Sequence, residues 1–131
     1  RGIATTMWLT STAGLAAVRV VQDEDLVARS RDRGELMLEL LREMQARHGD
    51  AVTDVRGKGL MIGVEFATDE VCELTVGQML TRGMCAAYTL NNPRVTRREP
   101  PLIITEAEVR QAVGILEASI SDVSELLAMP T

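Results

Sequence analysis

The hydrophobic period of this chain changes at Gly49-Asp50, and that change narrows the folds open to it. Between Leu9 and His48 the apolar residues recur three and four positions apart, the spacing of one helix face. After Asp50 the runs "AVTDVRG" and "LMIGVEF" read as short strands, the second apolar enough to be buried. Helices lead, strands follow, and the chain must therefore combine both.

The first helix carries Leu9, Ala13, Ala16, Ala17 and Val20 to about Val21. Asp23, Glu24 and Asp25 then form a polar break, with Asp23 or Asp25 expected to cap the next helix. From Leu26 the second helix presents Leu36, Leu40, Leu41 and Met44 on its apolar face and ends at Gly49-Asp50. Gly57-Lys58-Gly59 reads as a tight connection or bulge between the first two strands. A third helix is expected from about Glu70 to Arg82, with Val71, Leu74 and Met79 or Leu80 inward and Gly83 as its stop. "MCAAYTL" is expected as a third strand, Asn91-Asn92-Pro93 as a turn, and "RVTRRE" as a fourth strand. Pro100 and Pro101 bar further pairing, since neither has an N–H to donate. In the last helix Thr105 and Glu108 form a capping box, and Val109, Ala112, Val113, Leu116, Ile120 and Val123 its apolar stripe. The order implies an α+β fold: a small antiparallel or mixed sheet of about four strands covered by helices.

Composition excludes several functions. At 2% aromatic residues the chain has no stacking platform for single-stranded nucleic acid, and its net charge of −5 with scattered arginines opposes a phosphate-backbone binder. No apolar run approaches the roughly 20 residues that span a bilayer, and no basic n-region with an apolar core marks a signal peptide. Cys72, Cys85 and the lone His48 fall in no zinc-like spacing, so no metal site is expected. Both thiols are expected to be reduced and in the core, and the protein cytoplasmic. His48 suits the C-terminal end of a helix dipole. The first residue is Arg rather than Met, which suggests a piece of something longer or a processed chain.

Lys58 is the only lysine, every other fixed cation being an arginine. A Schiff-base lysine needs desolvation or a nearby cation to lower its pKa. Glycine neighbours supply neither, so Lys58 is expected to be a turn charge. "GKG" is no P-loop, because the spaced glycine and the Ser or Thr after the lysine are absent. Thr5 and Thr6 suit either a helix cap or a phosphate contact. Arg97 and Arg98 are more informative: successive strand residues face opposite ways, so one points inward. Beside the Pro-Pro stop, such an arginine can offer its planar fork to a carboxylate, or pair with Glu99 at the surface.

Several segments together resemble one family. "DVRGKGLMIGVEF", "AAYTLNNPRVTRREPPLIITEAEV" and the helical "GLAAVRVVQDEDLVARSRDRGELMLELLREMQARHG" look like the C-terminal part of class III aminotransferases, which use pyridoxal 5′-phosphate (PLP). The "TLNN…EPPL" wording is nearest to putrescine aminotransferases, beside the ornithine and acetylornithine enzymes. The resemblance runs from about Leu9 to Leu127. It implies a helix over residues 1–22 leading in from a large PLP-binding domain, and a small C-terminal domain over residues 23–131. It further implies a homo-oligomer whose shared sites pass an amino group from an amine or amino acid to a 2-oxo acid. Arg97 takes the position of the arginine that grips a substrate carboxylate, whereas Arg98 falls where the family usually has an apolar residue.

The resemblance also locates what is absent. The family's Schiff-base lysine lies upstream, and Lys58 matches a variable turn position. At the N-terminus the family carries a Ser/Thr-Thr-Phe-Gly-Gly-Asn-Pro run whose threonine binds cofactor phosphate. Here the stretch reads "RGIATTMWLT", leaving only Thr5 or Thr6 for that contact. Two readings follow: part of a transaminase that is inactive alone, or a non-enzymatic α+β module for assembly or carboxylate binding.

Overall fold

The computed structural model describes residues 2–89 and 91–129, with side chains from residue 10 onward. The helices are α1 (Gly2–Asp23), α2 (Leu26–Arg47), α3 (Asp69–Thr81) and α4 (Glu106–Ala128). The strands are β1 (Val52–Lys58), β2 (Met61–Phe66), β3 (Ala87–Thr89) and β4 (Asn92–Arg98). The expected element order and the α+β class are both found.

The four strands form one antiparallel sheet in the order β1-β2-β4-β3. Along β2, Ile62, Val64 and Phe66 are buried while Met61, Gly63 and Glu65 are not. One face is therefore covered, by α2 and α3 with α4 packed against both, and among the described residues the other is left open. Leu41 and Met44 from α2, Met79 from α3, and Leu116 and Ile120 from α4 share one core with Phe66, with almost no solvent exposure. A core poor in aromatic residues is thus filled by flexible and branched aliphatic chains. Among the described residues, α1 leans only on α2.

Local chemistry sets the helix ends. Thr105 Oγ1 accepts from the Glu108 N–H at 3.3 Å while the Glu108 carboxylate accepts from the Thr105 N–H at 2.8 Å, completing the capping box. Gly83, at φ +79°, closes α3: its N–H reaches the Leu80 carbonyl and the Met84 N–H reaches that of Met79. This pair of bonds is a Schellman closure.

Four local expectations are corrected. Asp25 stands at the start of α2 but in the left-handed region (φ 48°, ψ 44°), and its side chain makes no capping bond. It turns the tight corner from α1, a geometry in which an N-cap carboxylate cannot reach the helix amides. The connection between β1 and β2 is Gly59-Leu60, not Gly57-Lys58-Gly59; Lys58 pairs with Met61 as the last rung of the hairpin. Gly59 takes the positive φ (+54°) that this two-residue loop places at its first position. The third strand shrinks to Ala87–Thr89, because Met84 is engaged in closing α3. Finally, the buried line of α2 is Met37, Leu41 and Met44 with Gly34, while Leu36 and Leu40 sit at its margin. Gly34 lets that side of the helix approach the hairpin loop closely.

Candidate functional site at the end of the fourth strand

Arg97 and Arg98 close β4 immediately before Glu99 and the two prolines. Residues directly opposite in an antiparallel pair share a face. Arg98 stands opposite Ile62 and so points beneath the helices. Arg97 stands between Gly63 and Ala87 on the open face, where neither small residue crowds it. Its side chain is 53% exposed, and its Nε lies 3.2 Å from Glu99 Oε1.

Arg98 is only 7% exposed. Its Nη2 touches Met79 Sδ at 3.7 Å, while Nε and Nη1 are buried with no hydrogen-bond partner. Burial pushes its pKa down to about 10, so the group stays charged at neutral pH. Glu99, next in the chain, pairs with Arg97, and among the described residues no carboxylate forms an ion pair with Arg98. An uncompensated interior charge is the costly arrangement that buried ion pairs avoid.

A cavity of about 540 Å³ opens beside both arginines, with Met37, Cys85, Pro101 and Ile104 among its walls. A separate void of about 10 Å³ between α2 and α4 also touches Arg98. The outer wall is tied to α2 by two arginines. Arg29 Nη2 donates to the Ile103 carbonyl at 3.2 Å, and Arg33 Nη1 to Glu106 Oε1 at 2.6 Å.

The other candidate residues lie apart from this constellation or play structural parts. Lys58 is exposed at the end of β1 and borders a shallow cavity of about 240 Å³ that also includes Glu99. His48 forms the C-cap of α2, with Nε2 3.4 Å from Glu117 Oε1. Arg47 clamps the same carboxylate through Nε at 2.7 Å and Nη2 at 3.0 Å. That Arg47 hydrogen bond, more than any other cause, holds the Glu117 carboxyl below its ordinary pKa. Cys72 is buried as expected, its thiol pushed up to about 11 by desolvation and then by Asp69 and Glu73, against the opposing charge of Arg98. Cys85 corrects the expectation of two core thiols: it is exposed on the cavity wall, since the segment holding it is not part of the sheet. Thr5 and Thr6 fall within α1, but their side chains lie outside the described residues. Among the described residues no group of three or more His, Cys, Asp or Glu is placed to hold a metal ion.

The burial of Arg98 and its cavity escaped the sequence reading. Alternation showed that one of the two arginines must point inward; only the pairing of Arg98 with Ile62 tells which.

The class III aminotransferase family model matches residues 8–120. The chain belongs to the class III aminotransferase family. Among solved structures it is similar to a transaminase with L-alanine, at 31% identity and a TM-score of 0.78, over 87% of this chain and 28% of that one. It is similar to acetylornithine aminotransferase from Elizabethkingia anophelis, at 31% identity and a TM-score of 0.75, over 82% and 28%. A Bacillus anthracis aminotransferase matches at 26% identity and a TM-score of 0.76, over 82% and 27%. The chain thus spans about a quarter of the length of the structures it matches.

The family's cofactor can be tested against the residues present. A covalent anchor for PLP needs an amine that burial or charge keeps unprotonated. Lys58 stands exposed on a strand end, so the residues of this chain do not fit that role.

Proposed function

We propose that this chain is the small C-terminal part of a cytoplasmic, homo-oligomeric PLP-dependent aminotransferase of the putrescine or ornithine type. In this reading residues 1–22 lead in from a large cofactor-binding domain, residues 23–131 form the small domain, and Arg97 receives the carboxylate of the 2-oxo acid. The observation that carries it is the placing of Arg97: on the open sheet face, between two small residues, with Glu99 as its ion-pair partner. Such a guanidinium can exchange a surface carboxylate for a substrate's and hold it by two parallel hydrogen bonds. The exposed Leu15, Val18 and Val20 of α1 support an adjoining domain, since they leave apolar side chains on more than one side of the helix without cover among the described residues.

Bound PLP would supply the electron sink of transamination. The part of this chain is to orient the oxo acid and fix its carboxyl end; Thr5 and Thr6 remain candidates for a phosphate contact. With its only lysine exposed, the chain by itself is expected to be inactive.

The test separates the two half-reactions. Putrescine, a diamine, has no carboxylate to grip, whereas ornithine and the oxo acid do, so the diamine is the donor used. In the complete enzyme, Arg97→Gln is expected to slow the oxo-acid half-reaction roughly 100-fold, as loss of two charge-assisted hydrogen bonds implies, and to leave the diamine half-reaction near wild type. Equal effects on both halves, or none on the oxo-acid half, would defeat the assignment.

A further inference from the structure

Arg98 has no task in the reading above, yet it is the most unusual group in the chain. An apolar side chain would fill its position opposite Ile62 and beside Met79 without leaving a charge in the interior. Its Nε and Nη1 are unpartnered, and among the described residues no carboxylate forms an ion pair with it. The cavity beside it has apolar walls, including Met37, Met84, Ala86, Ile104 and Ala112. Its volume of about 540 Å³ falls within the usual range for small-molecule sites. At the mouth Arg97 is paired with Glu99. Arg98 lies in the wall without a carboxylate partner, and because its Nε and Nη1 have almost no exposed surface, the guanidinium must turn from Met79 to meet a ligand.

We propose that this cavity binds a small organic acid with one carboxylate and a compact apolar body, the carboxylate engaging Arg98. The apolar body would sit against Met37, Ile104 and Ala112. The guanidinium would exchange its weak contact with Met79 Sδ for charge-assisted bonds to oxygen, and its interior charge would gain the counter-charge it lacks. Transamination is not needed for this inference, because every group it invokes belongs to this chain.

Benzoate and its neutral isostere benzamide are suitable probes, titrated calorimetrically into the full chain. Benzoate should bind saturably, with benzamide at least about tenfold weaker. Arg98→Met should weaken benzoate at least about tenfold while the variant stays folded, judged by circular dichroism and urea midpoint; Arg94→Gln, at a surface arginine outside the cavity wall, should change it less than about threefold. In the wild type, the Arg98 Nε–H resonance should shift as benzoate saturates, a readout that does not depend on how any variant folds. Any of four results would overturn the proposal: no saturable binding at about 10 mM benzoate, equal binding of benzamide, an unmoved Arg98 resonance, or unchanged benzoate affinity in a folded Arg98→Met. Loss of binding in Arg97→Gln alone would also overturn it, and would support the substrate role of Arg97 instead.

Discussion

Gly34 offers a substitution whose sign follows from geometry rather than from composition. It lies in the middle of α2, where alanine is ordinarily the better helix former by about 1 kcal/mol. A β-carbon at this position would stand 2.2 Å from the Gly59 carbonyl oxygen and 2.3 Å from the Gly59 carbonyl carbon. A comfortable C···O contact is about 3.3 Å, so helix and loop must separate by about 1 Å. Neither wall is a side chain that can swing aside. The loop is also tethered, because the Leu60 N–H donates to Ser30 Oγ, one turn earlier on the same helix, at 3.3 Å. Forced separation of backbone from backbone belongs at the upper end of overpacking costs, about 3 kcal/mol. Subtracting the propensity gain leaves a net loss of about 2 kcal/mol. For a chain of this size that lowers Tm by on the order of 6–10 °C. Equilibrium urea unfolding is the assay, with Gly77→Ala and Gly114→Ala as internal controls. An added β-carbon at either control position meets nothing within 4 Å, so each should raise stability by up to about 1 kcal/mol. Were Gly34→Ala to stabilise the chain alongside the controls, the close approach of helix and loop would be refuted.

Two further outcomes follow from the electrostatics. Because the folded pKa of Glu117 is depressed from its ordinary 4.5, its pairing with Arg47 and His48 contributes fully above that value and is lost as pH falls through the folded pKa. Urea midpoints taken from about pH 6 to about pH 3 should therefore drop less steeply in Glu117→Gln than in wild type; parallel curves would remove the pair from the acid response. For the thiols, Cys85 is exposed, whereas Cys72 is buried with its pKa raised to about 11. A disulfide-exchange reagent should titrate one thiol in the native chain and the second only in denaturant, and rapid native reaction of Cys72 would contradict the packing of α3.

What the sequence disclosed divides along the range of the interactions involved. The capping box at Thr105, the stop at Gly83 and the barrier at Pro100-Pro101 depend on residues a few positions apart, and all three were legible. The left-handed corner at Asp25, the shortening of β3 and the rotation of α2 depend on contacts across a turn or between elements. No periodicity count reaches those. Helical spacing announces that α2 has a buried face, for example, but Leu36, Met37, Leu40 and Leu41 are all apolar. The choice among them falls to Gly34, whose missing side chain admits Gly59 and thereby fixes which side of the helix meets the sheet.

The same limit explains the two arginines and gives the glycine-flanked lysine its place. Arg97 and Arg98 are chemically identical neighbours; only strand parity separates a solvent-facing guanidinium from a buried one. That parity is set by Gly63 and Ile62 across the β2–β4 ladder, and a slip of one residue would exchange the two side chains between faces. β2 itself is held in register with β1 by the Gly59-Leu60 loop and the Lys58–Met61 rung. The segment around Lys58 therefore bears on the candidate site through backbone geometry: it determines what lies opposite β4, and so which arginine meets solvent. On this argument the lysine side chain is replaceable, since its backbone forms the rung whatever it carries, whereas Gly59 is not, because its positive φ strains any residue with a β-carbon.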